Sequence, residues 1–357
     1  MSVAEARALA KRYWDRAPAA RLQNVPEDQI WTELAQPAVD ALQSAGLQLE
    51  AEAILARASD AREQLERKLQ ERRSTHGPDD PDVLALSERL ARLLTDRGDF
   101  SGARRLQEQV LETRTRMLGE EHSDTLMATD NLAETLRAQG EYAGARRLEE
   151  RVLEARARVL GEEDPNTLTS MNNLAETLRS QGDYAGARRL HERAREAWTR
   201  VLGEEHPHTL TSTSNLALTL WAQGDHASAR DLQEQALEGM TRVLGEEHPD
   251  TLTSMNNLAS ILWAQHDYAA SRRLGERALG ARARVLGEEH PNTLISAHNL
   301  AMTLWKQGDR AEAIRLLTKC LSGRRKVLGE NHPDTLAAVK TLQQMEAQQQ
   351  PPTQPAP

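Results

Sequence analysis

Five histidines recur at one position of a sequence repeat, and they are the residues that most resemble metal ligands. Each follows a Gly-Glu-Glu or Gly-Glu-Asn stretch, and they are His122, His206, His248, His290 and His332. Packed helix axes lie about 8–10 Å apart. Equivalent points of successive repeats are therefore too far apart to share one zinc ion, whose ligands lie within about 2 Å of the metal. One copy carries Asp164 instead. We expect capping and linker residues here, with no metal and no cofactor.

A column of asparagines is the stronger candidate for binding. It consists of Asn131, Asn173, Asn215, Asn257 and Asn299. At about 100° per residue, the neighbouring apolar positions fall about 100–220° away from the asparagine on the helical wheel, so the amide points away from the core. Asparagine is a mediocre helix former, so helix propensity does not explain five copies. An amide both donates and accepts hydrogen bonds, which suits a peptide backbone of unspecified sequence.

Two further columns change character along the chain. Six residues after each asparagine stand, in order, Arg137, Arg179, Trp221, Trp263 and Trp305. Three residues after it, the first two copies carry Glu134 and Glu176, and the later copies carry Leu218, Ser260 and Met302. This pattern predicts a surface that is polar and charged at one end and apolar and aromatic at the other.

Both columns also have a structural interpretation. Each asparagine could bond the backbone of a neighbouring repeat and set the pitch of the array. The tryptophans lie next to the core stripe on the wheel, so their rings could wedge between repeats. A ring that is partly buried with one exposed edge satisfies both interpretations.

These columns must be positioned by the repeat itself, which is marked by seven glycines spaced 42 residues apart. They are Gly77, Gly119, Gly161, Gly203, Gly245, Gly287 and Gly329. A constant period of this size predicts stacked supersecondary units that bury their apolar faces against one another.

Each repeat is predicted to be helix–turn–helix. In the third copy, Asn166 is a candidate N-cap, Gly182 ends the first helix, and Gly203 ends the second with a positive φ. The second helices also carry Glu-to-Arg pairs at i,i+4, which predict ion pairs on a solvated face. These are Glu112–Arg116, Glu154–Arg158, Glu196–Arg200 and Glu238–Arg242.

Composition narrows the class of protein. The 357 residues are 28% charged and only 3% aromatic, which favours helices over a β-rich core. The formal charge of −9 argues against nucleic acid as a partner. There is no apolar run long enough to span a membrane, and the single cysteine fits a reducing compartment, so we expect a cytoplasmic protein with no membrane partner.

The repeat resembles a known family. Leu-Ala in the first helix, Gly-Asp-Tyr at the turn and Ala…Leu…Ala in the second helix are similar to the tetratricopeptide repeat (TPR). The LGEEHPDTL linkers and the Asn-Leu-Ala core resemble the 42-residue, kinesin light chain-like subtype common in bacterial proteins. The resemblance implies an all-α, right-handed superhelical solenoid whose first helices line a concave groove that holds peptide segments. It also implies that the asparagine position contacts peptide backbone.

The predicted organisation follows. Residues 1–60 are expected to form N-terminal capping helices, and residues 61–347 the TPR array. The array comprises a degenerate repeat at 61–76, six 42-residue repeats at 77–328 and a C-terminal capping helix at 334–347. Residues 348–357 are Gln/Pro-rich and expected to be disordered.

The sequence therefore predicts a non-enzymatic adaptor that binds a peptide or unstructured protein segment in its groove. Asparagines would hold the ligand backbone, tryptophans apolar or Pro-rich side chains, and Arg137 and Arg179 an acidic one. Two alternatives remain open: a regulatory or sensor subunit of a separately encoded signalling enzyme, and a self-assembling homo-oligomeric scaffold. Catalysis in the groove is the least favoured class, because only Glu134, Glu176 and the two arginines could converge.

Overall fold

The computed structural model describes residues 5–12, 38, 41–42, 62, 64–330 and 332–349. The predicted capping helices at 1–60 lie almost entirely outside these residues, as does the tail from residue 350 onward. The chain divides into two compact units, Met1–Thr113 and Arg114–Pro357. Every element of regular structure in the described residues is helical, which confirms the all-α class.

Thirteen helices that the structure delimits after residue 80 alternate between the first and second helix of each repeat. The first helices are α1 (Pro81–Asp96), α3 (Ser123–Ala138), α5 (Pro165–Gln181), α7 (Pro207–Gln223), α9 (Pro249–Ala264), α11 (Pro291–Gln307) and α13 (Pro333–Gln349). The second helices are α2 (Phe100–Leu118), α4 (Tyr142–Leu160), α6 (Tyr184–Leu202), α8 (His226–Leu244), α10 (Tyr268–Val285) and α12 (Arg310–Val327). A further helix spans 64–76, within the predicted degenerate repeat.

Helix ends follow the repeat punctuation. All seven glycines of the 42-residue period have a positive φ, between 85° and 95°, as predicted for a C-terminal glycine. The histidine column supplies the N-caps: in His248, for example, Nδ1 accepts a hydrogen bond from the Asp250 amide at 3.2 Å. The described residues contain no cluster of three or more potential metal ligands. The hydrogen bonds show that these histidines act as helix caps.

The predicted cap Asn166 is wrong by two residues. Asp164 is the N-cap of α5, and its carboxylate accepts from the Asn166 amide at 2.8 Å. Pro165 occupies the first helical position. Proline lacks a backbone N–H, but an N–H at this position would make no hydrogen bond within the helix, so no bond is lost. Asp164 therefore does the same work as the histidines at this position.

The predicted i,i+4 pairs on the second helices are also wrong for three of the four arginines. Arg158, Arg200 and Arg242 instead reach back to the Gly-Glu-Glu loop of the preceding repeat, where they pair with Glu121, Glu163 and Glu205. Stacking brings that loop beside the end of the next second helix, so a carboxylate from another repeat competes with the one on the same helix. These arginines therefore join repeats rather than support one helix.

From α5 through α11, each first helix packs on its own second helix and on the second helix of the preceding repeat. A representative core cluster joins Leu168 and Met171 of α5 to Ala194, Ala197 and Trp198 of α6, all buried. The small side chains of Ala194 and Ala197 leave room for Leu168 and Met171. The first helices also contact one another from α5 through α11, which places their outward-facing side chains in adjacent rows.

Candidate functional site

The five asparagines lie on successive first helices, one on each of α3, α5, α7, α9 and α11. All five side chains are half-buried, between core residues and solvent. In α5, for example, Leu174 and Ala175 directly after Asn173 are buried. The asparagine column and the side chains three and six residues after it form what we call the first-helix face.

Hydrogen bonding divides the asparagine column into two parts. Asn257 Nδ2 donates to Ser214 Oγ at 3.3 Å, and Asn299 Nδ2 donates to Asn256 Oδ1 at 3.4 Å. Both acceptors belong to the preceding repeat, so these two amides help to join repeats. They do so through side chains rather than through backbone.

The other three asparagines are different. Among the described residues, no hydrogen bond from the side chains of Asn131, Asn173 or Asn215 is formed. Their amides are half-buried but unengaged. The first-helix face therefore offers three free amides in adjacent rows, all in its N-terminal part.

The tryptophan column is half-buried between repeats. Trp221 packs against a core cluster that consists of Leu216, Leu220, Ala229 and Ile261, the last on the next first helix. Its indole Nε1 is buried and has no hydrogen-bond partner in the described part of the chain. Trp305 packs in the same way on the core of its own repeat. The rings thus contribute to stacking while keeping part of their surface exposed.

Cationic side chains lie over two of the rings. Lys306 Nζ is 5.8 Å from the centre of Trp263, and Arg310 Cζ is 5.3 Å from the centre of Trp305. Trp263 also meets Tyr268 edge-on, with ring centres 6.2 Å apart. The aromatic half of the face is therefore already suited to cations and rings, which the aromatic quadrupole attracts.

The polar half of the face carries the predicted charged residues. Arg179 and Glu176 form an ion pair of 2.6 Å, and both are half-buried. Within the described residues, the Arg137 guanidinium makes one hydrogen bond, a long one of 3.5 Å to the backbone oxygen of Asn173, and its charge acts on Glu149. Glu134 is exposed. Arg137 is therefore less engaged than Arg179.

The second helices carry a buried polar column that was not predicted from the sequence. Equivalent positions on α4, α6 and α8 carry Glu149, His191 and Gln233, with 3%, 0% and 0% of their surfaces exposed. His191 Nδ1 is 2.9 Å from Thr219 Oγ1 on the next first helix. Gln233 bonds Ser214 and Ser254, which lie on the first helices before and after it. The signal was present as a polar residue recurring every 42 positions inside an otherwise apolar stripe.

Burial perturbs the two titratable members of this column. Desolvation raises the pKa of Glu149 to about 7, against opposing effects from Thr177 and Arg137. Desolvation lowers the pKa of His191 to about 4. Burial therefore favours the uncharged form of each group. The Glu149 carboxyl is protonated at moderately acidic pH, and the His191 imidazole is uncharged at neutral pH.

A buried ion pair stands at the edge of the same region. Arg156 Nη1 lies 2.7 Å from Asp130 Oδ2, and it also donates to Ser170 Oγ at 2.6 Å. Burial raises the pKa of Asp130, whereas Arg156 acts in the opposite direction. The pair joins α4 to the first helices on both sides of it.

A family model described as tetratricopeptide repeat matches five overlapping segments, at residues 82–158, 124–197, 167–242, 214–282 and 250–326. A search of curated proteins gave no match. Among the described residues, no helix is long and apolar enough to cross a membrane.

Three solved structures are similar to this chain. Two are of a putative kinesin light chain with nearly identical TPR-like repeats from Podospora anserina. One of them is 31% identical, with 58% of this chain and 98% of that chain covered and a TM-score of 0.47. The other is a singly substituted form of the same protein, also 31% identical with a TM-score of 0.47, with 56% and 95% covered. The third is BtubC (BKLC) from P. vanneervenii, 23% identical with a TM-score of 0.50, with 64% and 92% covered, and it supports the solenoid fold alone. The family model matches this chain from residue 82 to residue 326, which is well over half of the length of the chain. This chain therefore belongs to the tetratricopeptide repeat family.

Proposed function

We propose that this protein is an adaptor that binds an extended segment of a partner protein along its first-helix face. Tetratricopeptide repeats indicate a protein–protein interaction adaptor in general, and proteins built from them are typically non-enzymatic scaffolds. The finer proposal concerns which residues hold the segment. Its central observation is the set of three unengaged amides on Asn131, Asn173 and Asn215.

These amides match a peptide backbone in chemistry and in spacing. Each can donate to a ligand carbonyl and accept from a ligand N–H at the same time. Adjacent helix axes are about 8–10 Å apart, so the three amides span about 20 Å. An extended chain covers about 3.3–3.6 Å per residue, so a segment of six or more residues reaches all three.

The two halves of the face would select different ligand side chains. An aromatic ring buries about 150–250 Å² in full, and the exposed part of each tryptophan can take an apolar, Pro-rich or cationic side chain. Arg137 is available for an acidic side chain, because its one hydrogen bond within the described residues is long. Arg179 would have to leave Glu176 to do the same.

A display selection tests this proposal even though the partner is unidentified. Random peptides of about ten residues, long enough for the three amides, would be selected on the wild-type protein. Binding would then be compared with an Asn131→Ala, Asn173→Ala, Asn215→Ala variant of unchanged helicity. A hydrogen bond contributes about 0.5–1.5 kcal/mol, so three losses predict a roughly 100-fold weaker affinity.

The matched control is Asn257→Ala with Asn299→Ala, because those amides already bond the preceding repeat. We expect this control to bind nearly as tightly as wild type. Selected peptides that bind the triple variant as tightly as wild type would refute the proposed role of the three amides.

A further inference from the structure

The second helices end in an exposed apolar edge that the proposed groove does not use. Each carries a Val-Leu or Met-Leu pair directly before the glycine of the repeat. Eight of the eleven large hydrophobic side chains that are exposed in the described residues belong to these pairs. Their exposed fractions lie between 38% and 55%, and they are Met117, Leu118, Val159, Leu160, Val201, Leu202, Val243 and Val285. We call this set the Val-Leu edge.

Ion pairs show that the Val-Leu edge is continuous from repeat to repeat. Arg200, directly before Val201, reaches Glu163 of the preceding loop at 3.1 Å. Arg242 reaches Glu205 and Arg284 reaches Glu247, each at 2.6 Å. The end of each second helix therefore lies against the loop that follows the previous one. The apolar pairs are neighbours along one side of the stack.

We propose that the Val-Leu edge is an interface between two copies of this chain, related by a two-fold axis. An occupant that covers the edge must present apolar groups at the repeat spacing over several repeats. The chain itself presents that pattern, and a two-fold axis brings the same patch of both copies together.

Charge supports a second copy as the occupant. The protein carries a formal charge of −9, so two copies repel each other in general. Along the Val-Leu edge, however, loop glutamates are paired with arginines of the next second helix, as in Arg200 with Glu163 and Arg242 with Glu205. These pairs offset part of the negative charge beside the apolar side chains, so the edge repels a second copy less than the net charge implies.

The area is sufficient for a weak dimer. Full burial of a Val or Leu side chain stabilises by about 1.5–3 kcal/mol, and each Å² of buried apolar surface contributes about 25 cal/mol. Dividing the two gives a buried area of about 60–120 Å² for each side chain. Eight side chains that are about half exposed then bury on the order of 700 Å² of apolar surface in a dimer. Interfaces are about 57% apolar, so the total is about 1,200 Å², at the lower end of specific interfaces.

Sedimentation velocity of the full chain tests the proposal. We expect a monomer–dimer equilibrium with a dissociation constant in the range of about 1–100 μM, given the small interface. Val159→Lys, Val201→Lys and Val243→Lys together should raise that constant at least tenfold. Lysine is favoured at a helix C-terminus, so the helices are expected to persist.

The matched control places the same three charges at the other end of the same helices, as Ala143→Lys, Ala185→Lys and Ala227→Lys. These alanines are exposed, and we expect the control to dimerise like wild type. At about 100 μM, the upper end of the expected range, at least about half of the chains should be dimeric, so a wild-type protein that stays wholly monomeric there would overturn the proposal. So would equal dissociation of both lysine variants.

Cross-linking places the axis without relying on the lysine variants. Val201 stands at the middle of the Val-Leu edge, so Val201→Cys should face its own copy and form a disulfide-linked dimer on oxidation. The native Cys320 is buried and free, and Ala185→Cys is the control. Equal cross-linking of the two cysteine variants would exclude a two-fold axis at this edge.

Discussion

Glu149→Gln should stabilise the protein at alkaline pH and leave it almost unchanged in acid. Glu149 is 3% exposed, and one of its carboxylate oxygens, Oε2, has no hydrogen-bond partner among the described residues. Glutamine is compatible with this position, since Gln107 and Gln233 occupy it in other repeats and both are buried.

The magnitude follows from the shifted pKa. Burial raises the pKa of Glu149 from 4.5 to about 7. Between these values the folded protein binds more protons than the unfolded chain, so stability from this site is full below about pH 4.5 and is lost as the pH rises to 7. At 1.36 kcal/mol per pKa unit, the loss is about 3 kcal/mol. Glutamine does not titrate, so the variant should escape this loss.

Urea unfolding at pH 5 and at pH 8, with hydrogen exchange of the α4 and α5 amides, measures the effect locally. Local exchange matters because a repeat array need not unfold in one step. Gln233→Glu is the reciprocal control. It loses amide donors to Ser254 at any pH, and its penalty should be larger at pH 8 than at pH 5. If wild type and Glu149→Gln change stability equally between the two pH values, the buried carboxyl does not titrate as described.

Three further predictions concern other buried or strained residues. Burial lowers the pKa of His191 to about 4, so the wild type should lose stability as the pH falls from about 6.5 to 4. In His191→Gln that loss should be smaller in urea melts at pH 7 and 4.5. His266 has a φ of 64° at a turn position where five other repeats carry glycine. His266→Gly should therefore raise the free energy of unfolding by about 1 kcal/mol, and a lower melting temperature would contradict this. Asp130→Ser should cost about 3–5 kcal/mol, since it leaves Arg156 buried without its partner. Two repeats further on, the equivalent positions carry Ser214 and Met240. Adding Arg156→Met to Asp130→Ser copies that pair and should restore most of the lost stability in a double-mutant cycle.

The helical architecture could be predicted from the sequence because it depends on local and periodic signals. Gly203 and its equivalents need a positive φ at the end of each second helix, and that requirement appears directly in the 42-residue spacing. The histidine caps could be separated from metal ligands by distance alone. These features depend on neighbours within one or two turns.

Side-chain partners between repeats could not be predicted in the same way. Arg200 has a carboxylate at i−4 on its own helix, yet it pairs with Glu163 of the preceding loop. The choice depends on how far the loop of one repeat lies from the next helix, which is a property of stacking. Burial of Glu149 has the same origin, because its surroundings come from the first helices on both sides.

The asparagine column was predicted to act alike in all five repeats, and the structure divides it into two parts. Asn257 and Asn215 occupy the same position and look alike in sequence. Asn257 donates to Ser214 of the preceding repeat, whereas the equivalent acceptor for Asn215 is Asn172, whose buried Oδ1 has no hydrogen-bond partner among the described residues. Asn256 in the same place does accept from Asn299. The residue type at the acceptor position therefore does not decide which amides bond, and the sequence could not separate them.

Backbone recognition by the three free amides is the central claim, and N-methylation of a selected peptide tests it most directly. Methylating a backbone nitrogen removes one donor and keeps the side chain. At ligand residues held by Asn131, Asn173 or Asn215, each methyl group should weaken binding about fivefold or more, whereas alanine substitution of the same ligand residues should change affinity little. In the Asn131→Ala, Asn173→Ala, Asn215→Ala variant, methylation should have almost no further effect. If methylated peptides bind wild type as tightly as the parent peptide, and only side-chain changes matter, the asparagine column does not hold the ligand backbone.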